Sequence, residues 1–334
     1  MRIAIFGAGA MGTVLGAHVT RGGFAPDLIT RNLSHVQGLK QKGAQVVGSA
    51  NFCVKVNALT PDEMTGKYDV IFLMTKQREN VKTVTFLKDF LADDGVICTT
   101  QNGLPEKTVA SVIGKEKTLG CAISWGATFV GDGVARLTSE SGHLTFALGC
   151  PYIYNEKVNF VKTILESMGK VELCQNFLGA RWTKLIINGS FSTLSALTGL
   201  TFGQVSKKRS ARKVVQALFH ENAQVCLSAG IKPDKIQGHD VVKLLNYKGK
   251  VKKFISYLLL PLAMKSHKNL TSGMYYDLKA KKPCDMPFIN GEIVKVAKEF
   301  GTPCPINERA LEICAKIESG EIEISPDNLK FFDI

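Results

Sequence analysis

Two hydrophobic periods divide this chain. Through about residue 170, short β-branched runs with period-two character predict strands: "RIAIFG" (2–7), "APDLITR" (25–31), "YDVIFLMT" (68–75), "GVICTTQNG" (95–103) and "TLGCAISWGATF" (118–129). The segments between them carry apolar residues at helical spacing with charged outer faces. Strand, helix, strand in repetition calls for right-handed crossovers and a parallel sheet covered on both sides. At the end of that sheet "GVARLTSESGHLTFALG" (133–149) reads as an added hairpin turning at Ser-Glu-Ser-Gly.

Beyond about residue 175 the strand pattern stops. "GARWTKLIINGSFSTLSALTG" (179–199), "SARKVVQALFHENAQVCLSAG" (210–230), "FINGEIVKVAKEFG" (288–301) and "NERALEICAKIESGE" (307–321) repeat apolar residues every three or four positions, and several close on a glycine suited to a helix C-cap. The expected class is α/β: an N-terminal Rossmann-type parallel-sheet domain over 1–175, then an all-helical C-terminal domain over 176–334. No low-complexity linker intervenes, so the two halves are expected to share a cleft near 174–182.

Length agrees with two cores, because 334 residues exceed what one simple core fills. Met1 leads directly into "RIAIFGAGAMG" without the pattern of a secretion signal, and "FISYLLLPLAM" (254–264) is too short to span a bilayer and contains Pro261. The expected location is the cytoplasm, with no membrane partner. Nine cysteines (53, 98, 121, 150, 174, 226, 284, 304, 314) lie singly, without CxxC pairs or regular spacing to the six histidines. They are expected as reduced thiols packed as small apolar groups, with no metal. The net charge of +13 admits nucleic acid, acidic membranes or small anions. Its excess in "SKKRSARK" (206–213), "KGKVKK" (248–253) and "KAKK" (279–282) has few aromatics interleaved, which argues against a base-stacking surface and hence against nucleic acid. Solvated helix faces and steering of an anionic cofactor and substrate remain.

The chemistry begins at "GAGAMG". Gly7, Gly9 and Gly12 have GxGxxG spacing between an apolar strand and a helical stretch, with Ala10 and Met11 opening that helix. Gly7 suits the tight turn, Gly9 a close approach by a pyrophosphate, and Gly12 close helix–strand packing, while the helix N-terminus offers N–H groups to phosphate. NAD would call for an acid at the tip of the second strand. That tip is Thr30-Arg31-Asn32, and Asp27 falls too early; Arg31 is placed for a 2′-phosphate, so the expected cofactor is NADP, bound as NADPH. A solvated strand-end arginine is the plainer alternative. Lys76 in "MTKQREN" and Asn102 in "TTQNG" come after later strands, at the edge where open α/β sheets bind ligands, although a solvated lysine and a plain Asn-Gly turn fit the same residues.

The remaining candidate is Lys184, alone in the apolar run "RWTKLIINGS" (181–190). Asn188 and Ser192 come next at four-residue intervals, so on a helix the three share one polar face. An early-helix lysine reaching solvent satisfies that spacing. So does a proton donor: hydride reduction of a ketone develops negative charge on oxygen, which an ammonium group stabilises and protonates, and desolvation tunes a lysine's pKa for the task.

Taken together, "GAGAMG", Lys76 in "MTKQ", "QNG" at 101–103, "RWTKLIIN" at 181–188 and "FINGEIVKVAKEFGTPCPIN" at 288–307 resemble the ketopantoate reductase family (2-dehydropantoate 2-reductase), in that family's order and across nearly the whole chain. The resemblance implies an N-terminal Rossmann domain and a helical C-terminal domain, and NADPH-dependent reduction of ketopantoate to D-pantoate for pantothenate and coenzyme A synthesis. It implies Lys184 as general acid, Lys76 and Asn102 at cofactor and active-site positions, and Asn188 as a substrate-binding asparagine. Four positions depart from it. Ser192 stands where a second asparagine is common, Phe202 near a third, Ser272 or Gly273 at the family's serine, and Asp285 at its glutamate, where a helix cap is the alternative role. Fewer partners for a substrate hydroxyl leave a second expectation open, a D-2-hydroxyacid dehydrogenase taking another 2-oxo acid with NAD(P). The apolar stripes of the helical half are enough for a homodimer.

Overall fold

The computed structural model describes residues 1–236 and 238–334. Among them are twelve strands: β1 (Ile3–Phe6), β2 (Pro26–Ile29), β3 (Ala44–Gly48), β4 (Phe52–Val54), β5 (Asn57–Leu59), β6 (Tyr68–Leu73), β7 (Leu91–Thr99), β8 (Thr118–Ile123), β9 (Ala127–Gly131), β10 (Val134–Leu137), β11 (Thr145–Gly149) and β12 (Lys170–Leu173). The main sheet runs β12-β11-β8-β7-β6-β1-β2-β5. Its pairs from β5 through β8 are parallel, and β11 enters antiparallel to β8. This is the Rossmann-type arrangement expected, with β1 at the centre and every residue of "IAIF" buried.

The hairpin expected over 133–149 does not form. β10 pairs parallel to β3 and antiparallel to β9 in a second sheet, ordered β4-β3-β10-β9, while β11 returns to the main sheet. The run expected as one strand over 118–129 divides accordingly into β8 and β9. Asp132-Gly133 supplies the turn between β9 and β10, with Gly133 at φ +80°, a local signal stronger than the Ser-Glu-Ser-Gly stretch that was read as the turn. The second sheet is held by burial: Ala44, Val46, Ala135 and Leu137 pack in one cluster with Val14 and Leu15 of the helix Ala10–Arg21.

Contacts divide the chain into two compact units, one of 1–101 with 105–177 and one of 102–104 with 178–334. The second unit is helical, apart from an isolated bridge between Ile236 and His239. Its longest helix, Arg209–Ser228, buries Val214, Leu218 and Phe219, and Trp182, Phe191 and Ile293 join the same core. Pro287 and Pro305 lie in the first turns of Met286–Glu299 and Pro305–Glu318, where a missing N–H costs nothing.

Candidate active site

In the first unit the chain leaves β1 through Gly7, whose N–H, like that of Ala8, donates to the Ile29 carbonyl at 2.9 Å. Gly7 sits at φ +104°, and a Cβ there would lie 2.6 Å from the Thr75 backbone nitrogen. A Cβ on Gly12 would lie 2.5 Å from the Gly7 carbonyl oxygen, so this glycine lets the helix close onto the turn. Gly9 differs: nothing lies within 4 Å of a Cβ built on it, so its front is open space at the N-terminus of the helix Ala10–Arg21. The first turn, opened by Ala10 and Met11, carries no acidic side chain. Helix-start N–H groups without intrahelical partners, facing open space beside a glycine, fit a dinucleotide pyrophosphate.

Two residues absent from the motif reading brace this turn. The Gly133 N–H donates to His35 Nδ1 at 3.0 Å, so the neutral imidazole carries its proton on Nε2, 2.9 Å from Thr13 Oγ1. The Thr13 hydroxyl in turn points to the Ala8 carbonyl at 3.4 Å. His35 is 1% exposed, and burial holds its pKa below the ordinary 6.5.

Arg31 lies just past the C-terminal end of β2, exposed, and pairs with Glu79 at 3.0 Å. Asn32 caps the next helix by accepting from the His35 N–H. Asp27 lies back along β2 and is engaged there by Arg2 (3.1 Å), Asn57 (2.6 Å) and Tyr68 (2.7 Å). Lys76, just beyond β6, and Asn102, beyond β7, are both exposed. Gln101 joins the two loops: it exchanges paired amide bonds with Asn80 at 2.7 and 2.9 Å and donates to the Thr75 carbonyl at 2.7 Å. These bonds order the loop edge, a role invisible from composition.

In the second unit Lys184 is half-buried on Phe177–Ile187. The helix does not continue as simple α. Asn188–Ser192 is a π-helical turn, and α geometry resumes at Thr193–Thr198. Single π turns cluster at functional positions. Ser192 Oγ donates to Asn188 Oδ1 at 3.3 Å, so the two polar side chains expected on one face do meet. Phe202 is buried and packs against Phe191, with ring centroids 6.0 Å apart. Ser272 is buried and caps Gly273–Lys279 by accepting from the Met274 N–H at 3.2 Å. Asp285 holds the N-cap position of Met286–Glu299, half-buried, and its side chain makes no capping hydrogen bond there.

All nine cysteines are thiols, none of them in a disulfide. Cys53 is exposed rather than packed inside, and Cys284 and Cys314, far apart in sequence, bring their sulfurs to 3.5 Å beside Glu318. Among the described residues no helix is long and apolar enough to cross a membrane.

A glycine-turn α/β unit with an open helix N-terminus, followed by a helical unit, is the layout of a two-unit dinucleotide-binding protein. Residues 3–149 match the family described as "Ketopantoate reductase PanE/ApbA", and 176–318 match "Ketopantoate reductase PanE/ApbA C terminal". The chain belongs to the ketopantoate reductase family. A 2-dehydropantoate 2-reductase of Archaeoglobus fulgidus is 26% identical over 328 residues, covering 96% of this chain and 98% of that protein. Among solved structures, a D-mandelate dehydrogenase with NADH and anilino(oxo)acetate superposes with a TM-score of 0.81 at 22% identity, over 96% of this chain and 99% of that one. A ketopantoate reductase of Ralstonia eutropha JMP134 superposes at 0.80 and 24% identity, again over 96% and 99%.

Proposed function

We propose that the chain reduces 2-dehydropantoate to D-pantoate with NADPH, a step toward pantothenate and coenzyme A, and that Lys184 is the general acid. The observation that carries this reading is the half-buried Lys184 on the helix that opens into the π turn bearing Asn188 and Ser192. The reduced nicotinamide supplies the hydride to the keto carbon. Lys184 donates a proton from Nζ to the carbonyl oxygen, and its positive charge stabilises the oxygen as negative charge develops there. Asn188 and Ser192 hold the substrate, joined by Asn102, Ser272 and Asp285. Asp285 accepts from a substrate hydroxyl. Gly7, Gly9, Ala10, Met11 and Gly12 receive the pyrophosphate, Arg31 the 2′-phosphate, and Lys76 and Asn102 the rest of the cofactor.

A second reading keeps the chemistry and changes the acid. Ser192 and the buried Phe202, in place of amides, favour a D-2-hydroxyacid dehydrogenase acting on a 2-oxo acid with an apolar side chain. Initial rates of NADPH oxidation, monitored by nicotinamide absorbance over a panel of 2-oxo acids, decide between the two. The first reading expects ketopantoate to have the highest kcat/KM, and a value about tenfold below that of an acid lacking the hydroxyl, near 1.4 kcal/mol, would replace it with the second.

We also propose a homodimer. Val251, Phe254, Leu258 and Leu262 are all more than half exposed along one side of Gly249–Ala263, an apolar stripe of the kind that marks an interface. Light scattering on the eluting protein is expected to give twice the 36.4 kDa chain mass, and a single chain mass would withdraw this assignment.

A further inference from the structure

Behind the π turn lies a polar network with no place in the reaction proposed above. Asn222, Asn290 and Asn307 are 0% exposed, so each of their amide groups needs a partner inside the protein. Glu221 anchors them. One carboxylate oxygen accepts from the Asn307 backbone N–H (2.8 Å) and Nδ2 (2.7 Å), and the other from the Ile306 N–H (3.1 Å), so the charge sits at the start of Pro305–Glu318. Asn307 Nδ2 also donates to Asn222 Oδ1, and Asn290 Nδ2 donates to Asn307 Oδ1, both at 2.7 Å.

The far side of the network ends on the π turn. Asn290 Nδ2 donates to the Gly189 carbonyl at 2.9 Å, and Asn222 Nδ2 to the Ile186 carbonyl at 3.3 Å. The Thr193 hydroxyl lies 2.6 Å from Asn290 Oδ1 and 3.2 Å from the Asn188 carbonyl. A regular α-helix satisfies its own carbonyls and needs none of these donors. Gly189 admits the approach: a Cβ there would lie 2.8 Å from Asn222 Nδ2 and 2.7 Å from Ile293 Cδ1.

Register links this network to the site. One extra residue in a turn rotates the residues after it by about 100° relative to an uninterrupted α-helix. All six residues of Thr193–Thr198 are buried, and Trp182, Leu185 and Ile186 are buried on the other side. Packing therefore fixes both flanks, and the turn between them absorbs the mismatch. We infer that Asn290 and Thr193, backed by Asn307, Asn222 and Glu221, are positioning residues that hold this turn in π register and thereby fix the direction of Asn188 and Ser192 relative to Lys184. The consequence for catalysis rests on the reading that Lys184 and Asn188 act on a 2-oxo acid; the hold on the turn does not.

Thr193→Val keeps the shape and removes the hydroxyl, and Thr193→Ser restores it. Two measurements on the full-length protein separate the claims. In backbone amide exchange resolved to 188–193, Thr193→Val is expected to exchange about tenfold faster than wild type or more, with Thr193→Ser near wild type and the core of Arg209–Ser228 unchanged. Exchange in 188–193 that is unchanged in Thr193→Val overturns the hold on the turn, whether or not the enzyme turns over. In steady-state kinetics, Thr193→Val is expected to lose kcat on the order of tenfold to a hundredfold with NADPH affinity unchanged, recovered in Thr193→Ser. Faster exchange with undiminished kcat overturns the positioning role. A wild type that reduces no 2-oxo acid overturns the proposed function and the positioning for that reaction, and leaves the exchange result to decide the hold.

Discussion

Arg31 decides between two cofactors that differ only in a 2′-phosphate. Its side chain is 65% exposed, and the guanidinium is already paired with a half-exposed Glu79 at 3.0 Å. An exposed pair of this kind is worth at most about 1 kcal/mol, and a charge-assisted contact to phosphate about 1.5–3 kcal/mol. Exchanging one for the other, with the pair at that upper value, leaves a net gain of about 0.5–2 kcal/mol for NADPH, or about 2- to 30-fold in affinity. Arg31→Ala should therefore raise the Kd for NADPH by that factor, measured by nicotinamide fluorescence at low salt, and leave the Kd for NADH unchanged. Glu79→Gln frees the guanidinium and should tighten NADPH by up to about fivefold, near 1 kcal/mol. Both effects should shrink as salt rises, because the charges stand in water. Equal shifts for NADPH and NADH, or none, would refute the reasoning and return Arg31 to a solvated strand-end residue.

The glycines make a paired prediction. Gly9→Ala meets nothing in the protein, so its melting temperature should match wild type while NADPH binding weakens, whereas Gly7→Ala should lower both, since it adds about 1–3 kcal/mol of backbone strain to a clash with Thr75; NADPH affinity unaltered in Gly9→Ala would place the pyrophosphate elsewhere. His35 makes a pH prediction. Its folded pKa is depressed by burial, so the folded state binds fewer protons than the unfolded one, and the stability it contributes is present above about pH 6.5 and lost as pH falls below it. Urea midpoints between pH 7.5 and 5.5 should fall less steeply in His35→Gln than in wild type, with His18, also depressed by burial, supplying the remaining slope; parallel slopes in the two proteins would contradict this.

How much of the fold was legible in the sequence depends on which physics is local. Strand periodicity and glycine spacing placed the Rossmann-type sheet and the turn after β1, because both are written within a few adjacent residues. The hairpin over 133–149 was misread because β10 finds its partner in β3, about ninety residues earlier, through burial against Ala10–Arg21 that no local pattern announces. Spacing correctly brought Asn188 and Ser192 together, but the π turn was hidden. An inserted residue has no composition of its own, and the donors that satisfy its carbonyls come from Asn222 and Asn290, on two other helices. Gly189 was the one local sign, within "RWTKLIINGS", and its reason is tertiary: the approach of Asn222 and Ile293. The meeting of Cys284 with Cys314 is likewise tertiary, and single cysteines thirty residues apart give no hint of it.

The most direct measurement is the single-turnover rate of ketopantoate reduction by Lys184→Met with saturating NADPH. A general acid at this position predicts a fall of about a hundredfold to ten-thousandfold with the Kd for NADPH unchanged. A rate equal to wild type would contradict the account, because the oxygen would then be taking its proton from some other group.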